Sequence, residues 1–85
     1  MLDREPSAYD GAMSHTVVAE LVAAVLKVEV TLDQEVAADD AVVILESMKM
    51  EIPVLAEVAG SVIEIVVSDG DVVNEGDPLV IIRPR

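Results

Sequence analysis

The chain writes one pattern twice. Residues 18–45, VAELVAAVLKVEVTLDQEVAADDAVVIL, fall without a gap on residues 55–82, LAEVAGSVIEIVVSDGDVVNEGDPLVII, at a spacing of 37 (55 − 18). Identical residues stand at Ala19/Ala56, Glu20/Glu57, Val25/Val62, Val30/Val67, Val36/Val73, Asp40/Asp77, Val43/Val80 and Ile44/Ile81. Other pairs, such as Leu26/Ile63 and Val28/Ile65, exchange one aliphatic for another. A duplication of this kind narrows the choice of fold. The two copies must follow the same backbone course, and each is too short to enclose a core alone. The solution is two copies facing each other about a pseudo-twofold axis.

The residue types select strands. Hydrophobic residues make up 53% of the 85-residue chain, yet there is no Phe or Trp, and Tyr9 is the one aromatic. The core is therefore Val, Ile and Leu, a bias toward β-structure. Gly60, Asp69-Gly70-Asp71 and Gly76-Asp77-Pro78 punctuate the second copy at turns. The matching positions of the first copy are Ala23, Asp33 and Asp39. Asp tolerates a left-handed backbone, whereas Ala23 implies a different turn or local strain. Strands are expected near 17–22, 25–31, 35–37 and 41–47, then near 51–56, 60–67, 72–74 and 79–83. In Val25-Leu26-Lys27-Val28-Glu29-Val30 the alternation turns Lys27 and Glu29 outward. The unbroken runs Val42–Leu45 and Leu79–Ile82 read as deeply buried strands, with Val43 and Ile81 taken as core positions. Eight short strands give an all-β fold, a sandwich or flattened barrel of two four-stranded antiparallel sheets.

Residues 1–15 are polar and mixed, and read as a disordered N-terminal tail ahead of one domain over 16–85. Met1 and Met13 are both candidate starts. The net charge of -12 argues against nucleic acid or an anionic membrane as partner and fits basic protein surfaces. With no cysteine, and with His15 the one histidine, metal and thiol chemistry find no ligand set. No run reaches the ~18 apolar residues of a membrane helix, and MLDREPSAYD is no secretory signal. A cytoplasmic, monomeric domain is expected.

The copies are joined through ILESMKMEIP, Ile44–Pro53, where Lys49 lies near the midpoint of the duplicated region. A strand ending near Ser47 and another starting near Glu51 put Lys49 in a tight hairpin, with the chain ends expected at the opposite pole. Lysine is common in exposed turns and Met is a common core filler, so a solvated Lys49 over inward Met48 and Met50 is the bland reading. Against it, no packing need calls for a lysine at the tip of a symmetric module. Two methionines exposed there would form a soft recognition surface, and the chain has no other reactive set.

The stretch ESMKMEIPV resembles the biotin-attachment site of biotinyl carrier domains, in which Ala or Ser precedes Met-Lys-Met. The resemblance covers residues 17–84, including the Gly-Asp turn and the duplication. It implies a flattened barrel, without the inserted thumb of some members because the repeats align without a gap. It also implies biotin in amide linkage on Lys49, with Met48 and Met50 read by the ligase and Glu46, Ser47 and Glu51 flanking the hairpin. A lysine amine with an ordinary pKa of about 10.4 is neutral in only ~10⁻³–10⁻⁴ of molecules near pH 7. The sequence places no base of its own beside Lys49, so acylation falls to another protein. The family implies a biotin protein ligase using biotinyl-adenylate. As a non-catalytic carrier the domain would move a carboxyl group between biotin carboxylase and carboxyltransferase sites on other chains, as in an acyl-CoA carboxylase of fatty acid biosynthesis. Two alternatives stay open: a lipoyl domain, whose site usually reads Asp-Lys-Ala, and a biotinylated interaction protein outside any carboxylase.

Overall fold

A computed structural model describes residues 14–85, so residues 1–13, most of the expected tail, lie outside the described residues. Eight strands follow in order: β1 (His15–Val18), β2 (Ala23–Val28), β3 (Glu35–Val36), β4 (Ala41–Ser47), β5 (Met50–Leu55), β6 (Gly60–Ile65), β7 (Val72–Val73) and β8 (Pro78–Pro84). They form two four-stranded sheets, ordered β1-β8-β6-β3 and β5-β4-β2-β7, with every pairing antiparallel. The expected two-sheet fold is what the chain adopts. His15, grouped with the polar leader by composition, opens β1. Its Nε2 lies 2.8 Å from Glu57 Oε1.

The duplication appears directly in the hydrogen bonds. Asp33 N–H donates to Val62 O (2.7 Å), and 37 residues on, Gly70 N–H donates to Val25 O (2.7 Å). Val62 N–H donates to Gln34 O (3.0 Å), matched by Val25 N–H to Asp71 O (2.7 Å). The β3–β4 and β7–β8 turns are closed alike, by Ala37 N–H on Asp40 Oδ2 (2.9 Å) and by Asn74 N–H on Asp77 Oδ2 (2.8 Å). The β2–β3 link matches the β6–β7 link residue for residue, so no thumb is inserted.

Several expectations need correction. The first strand ends at Val18, and Ala19 N–H donates to Asp77 O, the residue just ahead of β8 (2.9 Å). Simple alternation fails in β2: the register slips between Val25 and Lys27, and Leu26, which alternation would bury, bulges outward and is exposed while Val25 is buried. The second copy repeats the slip between Val62 and Glu64. Bulges also explain the unbroken apolar runs. Register skips Val42 against β5 and Leu79 against β1, so Val42-Val43 and Leu79-Val80 each send two consecutive side chains into the core. Ile81 is only half-buried, and its neighbour Ile82 is the core residue.

Ala23 carries no strain. Its counterpart Gly60 has no left-handed backbone either; a Cβ there would lie 2.0 Å from Arg83 O of the neighbouring strand. Close approach, rather than φ, makes that position glycine. Asp33 does adopt φ 69°, matching Gly70 at 93°. Asp39 does not match Gly76 at 90°; the left-handed residue beside the first copy's turn is instead Glu57 of the second copy, φ 74°, whose N–H donates to Ala38 O (2.8 Å).

The core contains Val17, Val25, Val42, Val43, Leu45, Val62, Leu79, Val80 and Ile82, drawn from both copies, and none of it comes from the β4–β5 connection. Val43→Ala is expected to lower unfolding free energy by about 1–4 kcal/mol through lost transfer energy and the cavity left behind. Ile81→Ala should cost clearly less than Ile82→Ala. Chemical denaturation with amide dispersion as the check on folding measures all three.

Candidate functional site

β4 ends at Ser47 and β5 begins at Met50, and these two residues pair. Only Met48 and Lys49 lie between them. Both have left-handed backbones, φ 53° and 65°, the two-residue primed turn whose twist matches that of the flanking strands. Lys49 thus stands at the apex of the hairpin joining the two copies. It is exposed, and it makes no ion pair or side-chain hydrogen bond among the described residues.

Neither flanking methionine is core filler. Met48 is 87% exposed and Met50 57%. They differ in kind: Met48 belongs to the turn, whereas Met50 is the first residue of β5 and lies opposite Ser47. Glu46 and Glu51 face each other directly one pair further in, both exposed. Like charges placed so oppose the pairing slightly, so strand stability does not account for them. All six residues singled out from the sequence, Glu46 to Glu51, therefore come together on one hairpin.

What the apex can do chemically follows from its surroundings. The described residues form no pocket and no cluster of three or more metal-ligating side chains. The hairpin presents a primary amine framed by thioethers and carboxylates.

A family model described as biotin-requiring enzyme, Biotin_lipoyl, matches residues 12–82. The chain is 51% identical over 70 residues to the biotinylated protein TB7.3 homolog of Mycobacterium leprae, covering 82% of this chain and 99% of that protein. It is 41% identical over 69 residues to the biotin carboxyl carrier protein of Streptococcus mutans, covering 81% of this chain and 53% of that one. A single-chain, multi-domain long-chain acyl-CoA carboxylase contains a region that superposes with a TM-score of 0.82 at 26% identity, over 100% of this chain and 8% of the carboxylase. The urea carboxylase of Kluyveromyces lactis does so with a TM-score of 0.81 at 29% identity, over 96% and 7%.

Turn propensity does not explain Met48 and Lys49. Such turns favour Asn-Gly, and a side chain held left-handed costs roughly 1–2 kcal/mol per residue. The sequence gives no hint of this conformation, since neither position carries Gly, Asn or Asp. Met48→Asn should keep the turn and raise stability by about 0.5–1 kcal/mol, because Asn tolerates the left-handed region better. Lys49→Ala, a surface change between two non-glycine residues, should stay within about ±0.5 kcal/mol. Denaturant midpoints at unchanged slope read both.

Proposed function

The chain belongs to the biotin/lipoyl attachment family, and from that premise we propose that Lys49 takes biotin in amide linkage on its ε-amine. The observation that carries this reading is the amine's position at the apex of a two-residue turn, flanked by exposed Met48 and Met50. The other lysine, Lys27, lies within β2, paired to Ile44, where the backbone cannot protrude into an enzyme's cleft. The residues present fit the group: an exposed amine with no partner to displace, on a tip that the core does not need.

Modification requires a biotin protein ligase. The amine of Lys49 loses a proton and displaces the adenylate from an activated biotin, forming the amide bond. The domain contributes presentation: the turn holds the amine clear of both sheets, and Met48 and Met50 offer polarizable surface for the ligase to read. Bound biotin supplies the group that accepts and releases a carboxyl unit. In our reading the domain is a carrier between a biotin carboxylase site and a carboxyltransferase site, and tethering makes both encounters quasi-intramolecular. The carboxyl carrier relative and the two carboxylase neighbours support this role. Those neighbours are carboxylases of different substrates, long-chain acyl-CoA and urea, so the substrate is set by chains or domains other than this fold.

A second reading rests on the mycobacterial relative, whose name records biotinylation without a carboxylase. The domain would then be a biotinylated protein outside such a complex. Affinity capture of the biotinylated form separates the two: co-purified carboxylase and transferase subunits support the carrier, and their absence supports the second reading.

Lys49→Arg is expected to fold normally and to lose all labelling by biotin protein ligase; substantial mass gain of biotin on that variant would refute the assignment. Lysine serves biotinyl and lipoyl domains alike, so its neighbours must set the cofactor. Met48→Asp with Met50→Ala writes the lipoyl-type tripeptide Asp-Lys-Ala. Asp is at home at a left-handed position, so the turn should persist. Biotinylation should fall by roughly ten-fold or more as apolar contact is lost and a charge added, and some lipoylation should appear. Product masses after incubation with each ligase decide, and equal biotinylation of both forms would leave the methionines without a recognition role.

A further inference from the structure

Methionine is placed unlike the other apolar residues of this chain. There are four, Met1, Met13, Met48 and Met50, and no cysteine. The two that fall among the described residues both stand at the hairpin, Met48 87% and Met50 57% exposed. The core contains none; its buried side chains are Val, Leu, Ile and Ala. Elsewhere on the described surface the exposed large apolar positions carry Val or Leu, as at Val22, Leu26, Leu32 and Leu55. Leucine would give the hairpin an apolar surface in the same way. What leucine lacks is a sulfur.

A thioether reacts with peroxides. Its sulfur lone pair attacks one peroxide oxygen, the O–O bond breaks, an S–O bond forms, and the second oxygen leaves as water. The sulfur gives up two electrons and the peroxide takes them. The sulfoxide that results is polar, chiral and a hydrogen-bond acceptor, where the thioether was apolar. Reaction follows access, and both side chains are open to solvent. The described residues hold no other methionine, and the chain has no cysteine or tryptophan. Oxidation of a buried methionine disrupts packing, but here the core offers nothing of that kind to oxidise. The chemistry is confined to the tip, and the fold stays as it was.

We propose that Met48 and Met50 form a reversible oxidation site that gates the modification of Lys49: as thioethers they admit the attaching enzyme, and as sulfoxides they turn it away. This inference rests on the reading of Lys49 as the biotin acceptor. Met48 shares the two-residue turn with Lys49, and Met50 follows it at the head of β5, so an enzyme that takes up the amine covers both. A sulfoxide oxygen buried there without a donor carries a desolvation cost that a thioether does not. Biotin already in place stays attached, because the amide bond takes no part in the oxidation, so the gate acts on new attachment. A methionine sulfoxide reductase resets it: two thiols become a disulfide, the oxygen leaves as water, and the thioether returns.

The test uses the full chain in its apo form, hydrogen peroxide, and a purified biotin protein ligase added only after the peroxide has been removed. Peptide masses locate the added oxygens, amide dispersion reports the fold, and kcat/KM for biotin transfer is the readout. The chain oxidised at Met48 and Met50 is expected to keep its dispersion and to lose about ten-fold in kcat/KM. Treatment with methionine sulfoxide reductases for both sulfur epimers, with a dithiol, should restore the parent rate. Met48→Leu with Met50→Leu retains Met1 and Met13, and its own rate should be the same before and after peroxide. If that variant labels too slowly to measure, each single leucine variant should show a smaller peroxide effect than the parent. Tip methionines that resist peroxide, an oxidised chain labelled at the parent rate, or lost dispersion would each refute the gate while the Lys49 assignment stands. A loss of rate that survives reduction, or that the leucine variants share in full, refutes the thioethers as its cause. If the parent is not labelled even before peroxide, the Lys49 assignment itself fails.

Discussion

Interlocking of the two copies is the constraint on which the rest of this structure depends. Neither sheet is built from one half of the chain. β1 and β3 of the first copy flank β8 and β6 of the second, while β5 and β7 of the second flank β4 and β2 of the first. The turn bonds cross in the same way, from Asp33 to Val62 and from Gly70 to Val25. A half-chain would expose its apolar faces and leave its ladders open, so stability arrives only when both copies are present. The aliphatic core of Val17, Val43, Leu45, Val62, Val80 and Ile82 is the product of that exchange.

Because the core is complete without the β4–β5 connection, that connection is free to hold residues chosen for other reasons. Symmetry assigns the hairpin and the chain ends equivalent places, yet the two are furnished differently. Around the ends, Glu35, Ser61 and Arg85 bond to one another and His15 meets Glu57. Around the hairpin stand an amine unpaired among the described residues, two exposed methionines and two facing carboxylates. The first set closes on itself. The second leaves its chemistry turned outward.

Much of this was legible in the residues. The 37-residue repeat fixed the strand count and the symmetry, and the aliphatic composition fixed the class. The position of Lys49 at the joint of the copies fixed the hairpin. What escaped had a common cause: pairwise geometry between strands leaves little mark on a single strand's pattern. The bulges at Leu26, Val42, Ile63 and Leu79 reverse the side-chain alternation at points where the sequence is uniformly aliphatic, so alternation misplaced Leu26 and the unbroken-run reading misplaced Ile81. Gly60 reads as a turn glycine, although its neighbour Arg83 is what requires it. Glu57, Met48 and Lys49 adopt left-handed backbones without any residue type that announces them.

The sheet order also sets a schedule for synthesis. β8, the last strand made, is an interior strand, held between β1 and β6. A ribosome that has just delivered Lys49 has produced the whole first copy but none of β6, β7 or β8. The first sheet then lacks its two central members, and β1 and β3 have nothing to pair with. The barrel can close only after Pro78–Pro84 has left the exit tunnel, so a lysine translated near the middle of the chain has to wait for the final strand before it is displayed on a finished surface.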